Sequence, residues 1–173
     1  MRWEPLLIIL LVASLSGLTI LTTVVNRQHR WFALITLGYL TSLAAIVFTP
    51  LAFTGTAVYI MPPGTGRVNL TQLDLFNLGF AENILMTLPL GLLVKWLWPR
   101  LPLIGVTLFG FFVGGSIETM QYVLSHHWLI NRSSDINDVL ANMLGVLVGG
   151  ALVALYYHFR PVRQRKLAAA QDS

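Results

Sequence analysis

The chain contains no cysteine, which excludes disulfides and cysteine-ligated metals and leaves the redox compartment unreadable. Charge is almost as scarce. Asp, Glu, Lys and Arg make up 10% of the 173 residues, against roughly 25% in soluble domains. That deficit is too wide for a soluble core of this size and puts a membrane class first. Alternating strand patterns are also missing, which argues against an outer-membrane barrel. What fills the space is apolar: 55% of residues are hydrophobic, and the mean hydropathy is +0.71. The net charge of +4 would suggest nucleic acid in a soluble protein. Here the basic residues sit in short loops and a tail, so they report topology and no nucleic-acid partner is expected.

Five uncharged or nearly uncharged runs are long enough to cross about 30 Å of hydrocarbon: Pro5–Val25, Trp31–Phe53, near Phe76–Trp98, Leu101–Leu124 and Val139–Phe159. The first could be read as a signal peptide, with Ser14, Ser16 and Gly17 imitating a cleavage site. Its length exceeds the roughly 7 to 15 apolar residues of secretory signals and favours a retained helix. The fold expected is an all-α membrane bundle of five transmembrane helices, a single domain over residues 1–173, with a basic tail at 160–173. Residues 54–81 form the one long connection, with PPGTG as its turn-forming part. Arg27, Arg30, Lys95, Arg100, Arg160, Arg163, Arg165 and Lys166 lie on one side, and Arg2, Arg67 and Arg132 on the other. The positive-inside rule then puts the C-terminus in the cytoplasm, against anionic lipid, and the N-terminus outside.

The polar interruptions cluster at the outer ends. Glu82 and Asn83 open the third span, Glu118 and Gln121 fall in the outer half of the fourth, and Asp135, Asp138 and Asn142 enter the fifth. At 100° per residue Asp138, Asn142, Gly145 and Gly149 share a stripe about 60° wide. Gly110, Gly114, Glu118 and Gln121 share one about 80° wide, and Asn83, Thr87 and Gly91 stack alike. Glycines at this spacing let membrane helices approach, so the stripes are packing faces. Asp135 and Asp138 suit the positive end of a helix dipole, with Ser133 or Ser134 as cap. That does not account for Asn142, one turn deeper, or for Glu118 on another helix. Ionisable groups inside a membrane are site candidates by default.

In order, Asn83-x5-Pro89-x-Gly91, then GSIETMQ with Glu118 and Gln121, then RSSDINDVLANMLGVLVG with Arg132, Asp135, Asp138, Asn142, Gly145 and Gly149 resemble the VanZ-like family. The likeness covers residues 67–150 and includes RVNLTQLDLF. Thr87 departs from the aromatic that often precedes the family's proline motif. The resemblance implies a multi-pass protein of the bacterial cytoplasmic membrane. It also implies association with low-level teicoplanin resistance, without naming a reaction.

Three function classes stay open. A binding protein would use Glu118, Gln121, Arg132, Asp135, Asp138, Asn142 and Asn83, facing outward, to hold a glycopeptide antibiotic, a lipid-linked cell-wall precursor or a lipid headgroup. Arg132 would meet a phosphate or carboxylate, or only neutralise Asp135 and Asp138. An intramembrane enzyme would pair Glu118 with Asp138 as acid and base, assisted by His126 and His127, although adjacent histidines at a helix end more often cap or snorkel. No nucleophile elbow, H-E-x-x-H or P-loop is present. A transporter would relay protons through buried acids, but no internal repeat supports alternating access. A homo-oligomer could complete it. No cofactor is called for and no metal site is assigned, although Glu118, Asp138 and Asn142 have hard-cation chemistry. Trp96, Trp98 and Trp128 read as interfacial belt residues, as do Tyr59 and Tyr122. TQLDLFNLGF is expected to lie on the membrane as an amphipathic stretch.

Overall fold

The computed structural model describes residues 1–53 and 57–171, with side chains as far as residue 160. The basic side chains expected after Arg160 therefore lie outside the described residues. The chain is all-helical, with five helices long and apolar enough to cross a membrane: α1 (Glu4–Thr23), α2 (Arg27–Val47), α3 (Leu78–Leu97), α4 (Leu103–Trp128) and α5 (Ile136–Gln171). There is no closed sheet among the described residues. The antiparallel pair β1 (Leu51–Phe53) and β2 (Val58–Ile60) makes a hairpin, and β3 (Val68–Asn69) runs parallel to β4 (Ser134–Asp135).

These elements divide into two compact units. The first comprises Met1–Leu70 and Ile117–Asp135, the second Thr71–Ser116 and Ile136–Ser173. Helix α4 contributes its first part to the second unit and its last part to the first.

In the first unit Pro5 stands in the first turn of α1, where its missing N–H is harmless. The Ser14, Thr19, Thr22 and Thr23 hydroxyls donate to carbonyls one turn back, so these four polar groups are satisfied within α1. Asn26 caps α2 by accepting from the Gln28 and His29 amides. The span expected to reach Phe53 ends as helix at Val47. Pro50 disfavours helical geometry at Thr49, and the chain leaves through buried Thr49 and Pro50 into β1. Tyr59 lies exposed on β2.

In the second unit α3 and α5 form the most extensive helix pair and run parallel. A Cβ on Gly145 would meet the Ile84 backbone, and one on Gly149 would meet the Leu88 carbonyl four residues further along α3. Only glycine permits that approach. Helix α4 runs antiparallel to α5, with Gly114 against Val139 and Asn142, and Gly110 against Met143 and Val146. The expected glycine stripes are thus close-packing faces. Ahead of α3, Asn77 accepts from the Phe80 amide at 2.8 Å as its N-cap. The preceding segment keeps Leu73 and Phe76 exposed, and Leu78 at the start of α3 is exposed too.

A polar cluster where alpha 4 turns back

Helix α4 continues ten residues past Glu118, about 15 Å at 1.5 Å per residue, before stopping at Trp128. The chain then reverses and returns along the same helix. Leu129 and Asn131 take φ values of 52° and 64° to make the reversal. Asn tolerates that left-handed conformation, whereas Leu129 carries strain on the order of 1–2 kcal/mol. The returning strand is held on both sides. Ile130, fully buried, bridges to Gly64, and the Asn131 Oδ1 accepts from the Gly66 amide at 3.2 Å. The Ser134 amide donates to the Arg67 carbonyl at 2.8 Å. Gly66 has φ 73°, and a Cβ there would collide with the Arg132 carbonyl. On the helix side, the buried Ser125 hydroxyl donates to the Arg132 carbonyl at 3.0 Å and accepts from the Arg132 amide at 2.9 Å.

This return brings four of the predicted residues together. Glu118 is 7% exposed, and its Oε2 accepts the Asp135 amide at 2.8 Å, immediately before α5 begins. Its carbonyl accepts from Ser134 Oγ at 2.8 Å. Asp135 Oδ1 accepts from Asn69 Nδ2 at 2.9 Å across the β3–β4 pair.

Arg132 and Gln121 have partners that spacing could not show. The last carbonyls of a helix lack intrahelical partners, and in α2 each one is answered. Ala44 accepts from the Phe48 amide at 2.9 Å and Ala45 from Thr49 Oγ1 at 2.6 Å. Ile46 accepts from Arg132 Nη2, and Val47 from Gln121 Nε2 at 3.0 Å. Arg132 also donates to the carbonyls of Thr49, at 3.1 Å, and Leu51. Its guanidinium thus serves the end of α2. Gln121 is 7% exposed, and its Oε1 is buried with no hydrogen-bond partner. Swapping the amide would not help, since Val47 offers only an acceptor.

The other predicted residues belong to the second unit. Thr87 Oγ1 donates to the Asn83 carbonyl at 2.8 Å and to the Asn142 carbonyl at 3.1 Å, tying α3 to α5. Asn142 is 3% exposed, and Asp138 stands in the first turn of α5. Asn137, which spacing gave no reason to single out, is equally buried. Its Oδ1 accepts the Asp74 amide and its Nδ2 donates to the Gln72 carbonyl, both at 2.9 Å, pinning the approach to α3. The signal available was an amide beside an acid at a helix start, a pattern too common to act on.

The histidines are local. His126 Nδ1 pairs with the Tyr122 carbonyl at 2.8 Å and its ring lies 4.1 Å from that tyrosine's. His127 stacks edge-on to Trp128. The Trp128 indole donates to Glu4 Oε2 at 2.5 Å, and Arg2 donates to the Leu129 and Met61 carbonyls at 2.9 and 2.6 Å, fastening the start of α1 to the reversal. No group of three His, Asp or Glu suited to a metal occurs among the described residues.

Neither a curated protein nor a solved structure matches the chain. The sequence profile of the family described as VanZ/LLP1 matches residues 9–157, from within α1 to within α5. That match takes in the reversal, the Glu118 cluster and the α3–α5 glycine contacts, and the chain belongs to the VanZ/LLP1 family of multi-pass membrane proteins.

Proposed function

We propose that this protein binds an envelope component at the polar cluster of its first unit and so contributes to low-level teicoplanin resistance. The ligand is a glycopeptide antibiotic or a lipid-linked cell-wall precursor. The protein sits in the bacterial cytoplasmic membrane with its C-terminus inside and the cluster toward the outer face. The observation that carries this reading is the buried, unpartnered Gln121 Oε1, one turn along α4 from the buried Glu118 carboxylate. An unsatisfied buried acceptor costs about 1–3 kcal/mol. Natural proteins retain few such groups, and each calls for a donor. Both proposed ligands are rich in hydroxyl and amide N–H donors, and an ammonium would gain further from Glu118.

The roles divide accordingly. Gln121 Oε1 and Glu118 face the ligand's donors. Arg132, Asp135 and Asn69 hold the surrounding backbone. In the second unit Asp138, Asn142 and Asn83 are proposed as ligand-supporting polar groups in their own right. The test is binding of labelled teicoplanin, and separately of a lipid-linked wall precursor, to the full chain in lipid nanodiscs. Wild type is compared with Glu118→Gln, which keeps an oxygen for the Asp135 amide and removes the charge. Saturable binding of one ligand, weakened at least tenfold in the variant, supports the proposal. Equal binding by both proteins, or none by wild type, overturns it.

A further inference from the structure

At the far end of the second unit, three cations gather around the end of α3 with no carboxylate among them. From Asn83 to Ile117 and from Val139 to Gln171 the sequence contains no Asp or Glu. Lys95, in the last turn of α3, is 7% exposed, and its ammonium donates to the carbonyls of Pro99 at 2.8 Å and Leu101 at 2.6 Å. The chain therefore folds over the charge in a turn closed by the Leu101 amide on the Trp98 carbonyl at 3.0 Å. Backbone carbonyls take two of the ammonium's three hydrogen bonds but leave its net charge in place. Arg100, at the tip of that turn, is exposed, as are Trp96 and Trp98 on its flank.

Helix α5 supplies the third cation. Gly149 lies against Leu88 and Leu92 of α3, and the two helices run parallel. Arg160 follows Gly149 by eleven residues, about 20° away around the helix and about 16 Å further along it. It continues the α3-facing stripe to a level just past Leu97, where α3 has ended and the turn begins. Arg160 is exposed there.

We infer that this end of the second unit binds the headgroup of an anionic phospholipid, with Arg100 and Arg160 on its phosphate. Trp96 and Trp98 sit at the acyl boundary, and Lys95 fixes the turn and adds uncompensated charge. Guanidinium groups suit phosphate oxygens, and interfacial tryptophans favour the level where headgroup meets chain. The site is separate from the Glu118 cluster and does not depend on what that cluster binds.

The test uses the delipidated full chain in mild detergent, titrated with phosphatidylglycerol or phosphatidylcholine, with bound lipid counted by native mass spectrometry. The wild type prefers phosphatidylglycerol. Arg100→Gln with Arg160→Gln lowers that preference roughly 30-fold, the effect of two surface cations. Arg100→Lys with Arg160→Lys keeps most of it. Both arginines are exposed, so elution and thermal midpoint stay unchanged and loss of fold is separable. Two results overturn the inference: undiminished preference in the Arg100/Arg160 double glutamine variant, or displacement of the lipid by soluble glycerol phosphate. The last would assign the site to free phosphate.

Discussion

Replacing Arg132 separates a scaffold residue from a ligand residue. Its guanidinium donates to three backbone carbonyls, those of Ile46, Thr49 and Leu51, at the end of α2. A hydrogen bond from a charged donor contributes about 1.5–3 kcal/mol, so three independent bonds would sum to roughly 5–9 kcal/mol. The sum is an upper bound, because the bonds share one side chain and the carbonyls freed at this part-exposed site can regain water. Arg132→Ala should then destabilise the protein by about 3–5 kcal/mol, within that bound. Lysine offers one point-like ammonium in place of a planar fork. Arg132→Lys should recover one carbonyl and cost about 2–3 kcal/mol. The assay is reversible unfolding of the full chain in mixed micelles by SDS titration. A change below about 1 kcal/mol for Arg132→Ala, against that expectation, would refute the capping account and return the guanidinium to an external anion.

Further consequences follow from the same contacts. Gln121→Met removes one donor to Val47 together with the unpartnered Oε1, so the two effects offset and unfolding should shift by less than about 1 kcal/mol. Gly149→Leu drives a side chain into the Leu88 carbonyl and should cost about 3 kcal/mol or more through separation of α3 and α5, read in the same titration. Because native cysteine is absent, a single cysteine at residue 170 should react with an impermeant thiol reagent only from the cytoplasmic side. One at Thr65 should react only from outside, and reversed labelling would invert the proposed topology.

What the sequence made legible was the part governed by length and period. Five spans, and the glycine faces of α3, α4 and α5, follow from apolar runs and four-residue spacing, and the helices lie where those runs do. The end of α2 was overshot to Phe53 because hydropathy continues past the point where Pro50 stops the helix. Strands of two or three residues carry no readable period, so β3 and β4 and the return along α4 were invisible. Residue type marked out Glu118, Gln121 and Arg132, but hydrogen bonds join each of them to backbone groups on other elements. For Arg132 they lie more than eighty residues away in sequence. A backbone carbonyl has no side-chain identity to read, so capping of α2 by these two residues could not be inferred from the letters.

The most direct test of the central claim is teicoplanin susceptibility in a sensitive Gram-positive host, with wild type and Glu118→Gln at matched membrane abundance. The Glu118 carboxylate lies one turn along α4 from Gln121, whose buried Oε1 is left unpaired. The account predicts that wild type raises the inhibitory concentration and that Glu118→Gln returns it to that of the empty vector. Protection by Glu118→Gln equal to wild type would make the cluster scaffold alone and contradict the account. Absence of protection by wild type would contradict the resistance role itself.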